Sequence, residues 1–342
     1  MNILFTIQHP AHVHLFRHSI QELEQQGHEV HTFARKKDIN IELLDLYGID
    51  HTVLADEPSS RLQLPLVQLQ YELGVIRTAR KIRPDLLIGM GEPAITHAAK
   101  LCDAQSLVFT DTEHARVQNT LAFPFADQVY TPECYQGDIG SKQVRYPGYH
   151  ELAYLHPNRF DPDPSVLSDA GLDRAERFVI LRQVSWNAMH DVNEGGINGM
   201  VEFVEALEKR DVRVRITAED GVPSEIVDRK VAVQPHRIHD LMAFADLYVG
   251  ESATMATESA VLGTPAVYIA SNQLGYTNEL EAEYGLVFNF SGERRTKRGL
   301  ERALSILDDG DQTKWKTRHE RLLANKVDTT TFIIEKVKEA AN

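Results

Sequence analysis

The chain has 342 residues, 42% hydrophobic and 25% charged, which suits a globular protein with room for two domains. Its formal charge of −14, from 50 acidic against 36 basic residues, argues against nucleic acid as the main partner. Cys102 and Cys134, the only cysteines, form neither a disulfide framework nor a thiolate zinc site, and no apolar run approaches a membrane span. A cytoplasmic location is therefore expected. Arginine outnumbers lysine 23 to 13, and an acidic, lysine-poor surface fits either adaptation to high salt or an ordinary acidic cytoplasmic protein.

Residues 1–10, MNILFTIQHP, are too short and lack the basic leader of a signal peptide, so they are read as a first strand. Further strands are expected at 29–33, 51–54, 86–90 and 106–109, with helical patterns such as 14–26, closing on Gly27, and 67–82, closing before Pro84. Strands alternating with helices mean βαβ units and a parallel sheet. Four prolines within 147–164 then read as a linker. The pattern restarts with strands at 178–182, 212–218, 231–234, 247–249 and 266–269, a helix at 196–209, and a mainly helical tail at 300–307 and 313–341. Two successive doubly wound halves follow, in which ligands bind at the carboxyl ends of the strands.

One such strand end carries GESATMATESAVLGTPAVYIAS, residues 250–271. If a helix begins near Ala253, its first N–H groups lack intrahelical partners and carry the positive end of the dipole. Small residues let a diphosphate approach, and the Ser252 and Thr254 hydroxyls add hydrogen bonds. Glu258 lies one turn beyond Thr254, where its carboxylate can accept both hydroxyls of a ribose. Gly263 and Pro265 end the helix. The same residues also fit a serine-capped helix with a surface glutamate.

The order of small residues, Glu258 and Leu262-Gly263-Thr264-Pro265 resembles the C-domain signature of GT-B nucleotide-sugar enzymes. It is similar to that of the lipid II-forming N-acetylglucosaminyltransferase, the bacterial UDP-N-acetylglucosamine 2-epimerases and a largely archaeal family of predicted glycosyltransferases. The resemblance implies a GT-B fold, two Rossmann-like parallel-sheet domains facing a central cleft. It implies diphosphate contacts from Ser252, Ala253 and Thr254, a ribose contact from Glu258, and a base edge from His236 to Ile238. Two glycines are common in those families where Ala253 and Thr254 stand. The expected division is an acceptor domain at 1–150, a nucleotide-sugar domain at 151–325 and a last helix at 326–342 packing back on the first domain.

The first loop, residues 7–14, resembles the glycine-rich loop of the same transferases, with Ala11-His12 where they have Gly-His. A neutral imidazole at His12 suits removal of a proton from an acceptor hydroxyl, although a structural role fits as well. His9, His12 and His14 have no carboxylate or cysteine at useful spacing, so no metal is expected. After the strand at 106–109, residues 110–113 are expected to line the same cleft. The resemblance, in which an acidic residue follows this strand, makes Glu113 the second candidate, either binding acceptor hydroxyls or acting as an acid–base, although a glutamate at a helix start fits as well. Residues 89–93, Gly89-Met90-Gly91-Glu92-Pro93, are expected to form a wall of the acceptor site. Arg182 ends the second half's first strand, where it can offset diphosphate charge, or form a structural ion pair. No Asp-X-Asp motif stands in a setting for Mg²⁺, since Asp161-Pro162-Asp163 falls in the proline stretch.

The resulting expectation is metal-independent, cofactor-free transfer of an N-acetylhexosamine-like sugar from a UDP-sugar to an acceptor hydroxyl. The acceptor stays open, a lipid-linked glycan and peripheral membrane association included. A 2-epimerase is the alternative, although the Arg-Pro-Glu and His-Arg-Arg-Glu-Asn motifs of those enzymes are missing. A non-catalytic nucleotide-sugar binding protein is a third.

Overall fold

The computed structural model describes residues 1–183, 199–218, 221–231 and 233–341. It divides into two compact units, Met1–Tyr154 with Lys326–Asn342, and Leu155–Asn325. In the first, β1 (Asn2–Ile7), β2 (Glu29–Arg35), β3 (His51–Ala55), β4 (Leu86–Met90), β5 (Gln105–Phe109), β6 (Gln128–Pro132) and β7 (Gln143–Tyr146) form a parallel sheet. Its order is β3-β2-β1-β4-β5-β6-β7. The central strands β1 and β4 are buried on both faces, which requires continuous apolar runs such as Ile3-Leu4-Phe5 and Leu86-Leu87-Ile88.

Chain order reverses between β1 and β4. Right-handed crossovers leaving that point in opposite directions cover opposite faces of the sheet. Thus α1 (Pro10–Gln25) and α2 (Asn40–Leu46) pack together on one face, and α3 (Leu64–Ile82), α4 (Pro93–Cys102) and α5 (Arg116–Ala122) on the other. Pro10 suits the first turn of α1, where its missing N–H has no helical partner, and His9 Nδ1 accepts the Ala11 N–H at 3.2 Å. Val13, Phe16, Ile20 and Leu23 form its buried face. Arg83 ends α3 in the left-handed conformation (φ 50°), just ahead of Pro84.

The stretch expected as a linker, 147–164, is folded over its first half. Tyr146, Tyr149 and Tyr154 are buried, and α6 (Leu152–Leu155) forms there. The Thr329 and Thr330 hydroxyls donate to the Tyr149 and Ala153 carbonyls, each at 2.7 Å. Prolines 157, 162 and 164 fall beyond this anchored part.

The second unit begins with α7 (Val166–Asp169). Its parallel sheet contains β8 (Phe178–Gln183), β9 (Arg213–Ala218), β10 (Leu247–Gly250), β11 (Ala266–Ile269) and β12 (Val287–Phe290), in the order β12-β11-β10-β8-β9. Around it lie α8 (Met200–Glu208), α9 (Ile238–Ala243), α10 (Ala253–Val261), α11 (Gly275–Glu279), α12 (Arg295–Asp309) and α13 (Gln312–Asn325). The last helix, α14 (Thr329–Ala340), packs on α1 of the first unit.

The described residues of the strand expected at 231–234 form no strand. Ser224–Arg229 coils into a tight 3₁₀ turn, Lys230 makes a single bridge to Ile216, and Pro235 opens the next turn without an N–H to donate. Residue 232 lies outside the described residues, as do the start of the helix expected at 196–209 and the 184–187 part of the loop after Arg182.

Candidate functional site

The second sheet reverses its order between β8 and β10, whose ends lie side by side with Arg182 in register with Gly250. Only glycine fits there: a Cβ at position 250 would lie 2.6 Å from the Tyr248 hydroxyl and 2.7 Å from the Arg182 Cβ. The Glu251 N–H donates to the Arg182 carbonyl at 3.3 Å. The Ser252 hydroxyl caps α10 by accepting the Met255 N–H at 3.3 Å, leaving Ala253 and Thr254 as the first helical residues. The Tyr248 hydroxyl donates to the Ser252 carbonyl at 3.2 Å. Burial pushes that phenol well up, while the Arg182 charge and the Ser252 bond pull it partly back. Arg182, Ser252, Ala253 and Thr254 therefore share one strand-end loop pair.

Glu258 is not a surface residue. It is 5% exposed, and its Oε1 lies 2.9 Å from Nε2 of His239, which is equally buried in α9. His236 sits in the turn Pro235–Arg237, and Ile238 is the first residue of α9, so His239 links this segment to Glu258. Arg237 anchors the turn through Asp163 and the Ser165 hydroxyl, each at 2.8 Å, and through Asp169. His239 was not singled out in the sequence, although it directly follows Ile238, and Arg237 entered only as part of the segment His236 to Ile238.

The first unit has a cavity of about 230 Å³ at the carboxyl ends of β1, β2, β4 and β5, lined by Gln8, His12, Arg35, Glu92, Thr110 and Asn119 among others. Ligand pockets usually span roughly 300–1,000 Å³, so this one suits a sugar ring or a polar substituent. The Gln8 N–H donates to Nδ1 of His12 at 3.3 Å, which places the proton of the neutral ring on Nε2. Burial, together with the charges of His9, His150 and Lys37, lowers the His12 pKa well below its ordinary value, against a raising effect of Asp111. At neutral pH His12 therefore presents a donor.

Glu92, at the N-terminus of α4, is 3% exposed. Burial pushes its carboxyl up to about 8, against the opposing pull of the Thr6 hydroxyl bond and of Arg35. Thr6 donates to Oε1, and Oε2 is buried with no hydrogen-bond partner. Gly89 permits this approach, since a Cβ there would collide with the Thr6 hydroxyl and lie 3.1 Å from Glu92 Oε1. Beside this pocket, Asp111 pairs with His150 at 3.0 Å. Burial alone would raise the Asp111 carboxyl, but the charge and hydrogen bond of His150 and the Thr112 hydroxyl hold it below its ordinary value.

Glu113 does not join His12. Its Oε1 accepts the Gln136 N–H at 3.0 Å, and burial, with the charges of Glu113 and Asp111, raises the nearby Tyr135 phenol against the pull of Arg145. Among the described residues, no group of three or more His, Cys, Asp or Glu side chains is arranged to hold a metal ion.

Two solved structures resemble the chain over its whole length. The UDP-GlcNAc 2-epimerase from Neisseria meningitidis bound to UDP-GlcNAc matches with a TM-score of 0.71 at 12% identity, over 99% of this chain and 100% of that one. Spinosyn forosaminyltransferase SpnP matches with a TM-score of 0.71 at 15% identity, over 100% of both chains. With two parallel-sheet α/β units and such neighbours, the chain has the GT-B fold. It belongs to the family described as protein of unknown function (DUF354), matched over residues 1–341. It is also similar to an uncharacterised protein of Methanocaldococcus jannaschii, 21% identical over 283 residues that cover 78% of this chain and 81% of that one.

Proposed function

We propose that the chain transfers an N-acetylhexosamine-like sugar from a UDP-sugar to an acceptor hydroxyl without a metal ion. The observation that carries this reading is the Ser252-capped N-terminus of α10 beside Arg182, at the reversal point of the second sheet. Helix N–H groups, the dipole and a guanidinium are the means by which protein atoms alone neutralise a departing diphosphate. Glu258, oriented by His239, accepts from the ribose, and His236 to Ile238 edge the base.

In the first unit the proton carrier is Glu92, in place of His12 or Glu113. The acceptor hydroxyl gives its proton to the ionised Glu92 carboxylate, and its oxygen bonds to the anomeric carbon. The bond from that carbon to the diphosphate oxygen breaks, and UDP departs with the electron pair. His12, a donor from Nε2, holds the acceptor oxygen.

One observation favours 2-epimerisation as a second reading: Glu92, His12 and the Asp111–His150 pair supply more proton carriers than a single transfer needs. Incubation with a panel of UDP-sugars, with and without sugar or lipid-linked acceptors, separates the readings. Free UDP released only with acceptor supports transfer, and a new UDP-sugar formed without acceptor replaces it by epimerisation. UDP binding with neither product defines a binding protein and overturns both enzymatic readings.

A further inference from the structure

Among the described residues, nine of the thirteen large hydrophobic side chains left exposed fall between Leu62 and Phe125. Leu62, Leu66, Leu69 and Leu73 are 92%, 67%, 52% and 39% exposed. Leu66, Leu69 and Leu73, spaced by three and four residues, form one stripe of α3, with Leu62 in the 3₁₀ turn just before it, while Tyr71, Val75 and Ala79 face the core. Val117 and Leu121 add a second exposed apolar pair on α5, 75% and 50% exposed. The helices α3, α4 and α5 pack in succession on the same face of the first sheet, so these side chains belong to one outer layer.

The charge of this layer runs against that of the chain. The three helices carry Arg77, Arg80, Lys81, Lys100 and Arg116 against the single acid Glu72, in a protein of net charge −14. Glu72 is itself paired with His97, and Lys100 with Asp127, which leaves Arg77, Arg80, Lys81 and Arg116 as the cations that set the charge of the layer. Exposed leucines next to basic side chains match the two components of an anionic bilayer surface, the acyl boundary and the headgroups. A second copy of the chain fits less well, because an isologous contact would press this cationic layer against itself.

We propose that the α3–α5 layer of the first unit docks peripherally on an anionic lipid bilayer. The inference is independent of the sugar-nucleotide reading, since none of these residues belongs to either candidate site. Co-sedimentation of the full chain with phosphatidylglycerol vesicles and with phosphatidylcholine vesicles tests it. Binding to the anionic vesicles is expected to exceed binding to the neutral ones at least tenfold and to fall with added salt. The double variant Leu66→Glu, Leu69→Glu should lose at least tenfold with unchanged circular dichroism and UDP affinity. The pair Arg80→Glu, Lys81→Glu should lose most of the preference for anionic lipid. Wild-type protein that stays in the supernatant with both vesicle types overturns the proposal, as does undiminished binding by both double variants. A dimer by light scattering that the leucine variant dissolves, without vesicle binding, assigns the layer to a second copy instead.

Discussion

The two sheets reverse their strand order in the same way, yet the two reversal points offer different chemistry. Between β1 and β4 the chain buries a carboxyl, Glu92, with one oxygen unpartnered and its pKa near 8, beside an imidazole, His12, kept neutral. Between β8 and β10 it offers a capped helix N-terminus and a guanidinium, with the Glu258 carboxylate held against His239. Burial that outweighs the pull of Arg35 leaves a proton easy to move near neutral pH, whereas fixed dipoles and a permanent cation bind anions. Under the proposed reading, one strand-end geometry would serve proton transfer in the first unit and diphosphate binding in the second.

The contrast is broken most directly at Glu92. Glu92→Gln should lower turnover by about 10²–10⁴ with UDP affinity unchanged, since positioned proton transfer contributes on that scale. Glu113→Gln should stay near wild type. Because only the ionised carboxylate accepts a proton, wild-type rates should climb as pH rises toward about 8, the Glu92 pKa. The variant should lack that limb. Equal UDP release by Glu92→Gln and wild type would show that the pocket does not carry the chemistry.

The same group makes a stability prediction. Its pKa is raised in the fold from 4.5 to about 8, so the unfolded chain ionises first as pH increases. Its contribution is fully present below pH 4.5 and is lost as pH rises to about 8, a change on the order of 4 kcal/mol. Glu92→Gln should remove that loss. Denaturant titrations at pH 5 and pH 8 should show the variant gaining on wild type at the higher pH, and a parallel decline in both would place the carboxyl in solvent.

His12 sharpens the division between donor and base. Gln can replace the Nε2–H donor, so His12→Gln should keep most of the turnover. His12→Ala should lose roughly 1.5–3 kcal/mol of transition-state stabilisation, as for a hydrogen bond to a charged group. Collapse of both variants to the same residual rate would instead make the imidazole the proton acceptor. The smallest effect is at the cap: Ser252→Ala should cost about 1 kcal/mol of stability and Ser252→Gly only a few tenths. Thermal unfolding of the pair reads that difference, and identical midpoints would mean that the hydroxyl does not cap α10.

The fold was legible where burial forces a continuous apolar run, as in 2–7, 86–90 and 266–269, because both faces of a central parallel strand need such residues. The edge strands β7 and β12, QVRY and VFNF, are only partly buried and carry no such signal. The run at 231–234 is apolar over its first three residues, as in a buried strand, but Pro235 and the preceding 3₁₀ turn leave its described residues outside the named strands. The loop at 250–254 was legible because close approach of β8 and β10 requires Gly250 and the cap requires a residue such as Ser252. Glu92 read only as a wall residue, and Asp111 as part of a cleft lining, because burial and pairing with His150 come from distant segments. His239 was hidden for the same reason: its role depends on the packing of α9 against α10.

The division of labour is tested most directly by calorimetric titration of UDP into wild type, Glu258→Ala and Glu92→Gln. Wild type and Glu92→Gln should bind with equal affinity, and Glu258→Ala should bind about 1.5–3 kcal/mol more weakly, the scale of a charged hydrogen bond. Wild-type affinity in Glu258→Ala, or loss of UDP binding in Glu92→Gln, would contradict the assignment of the nucleotide to the second unit.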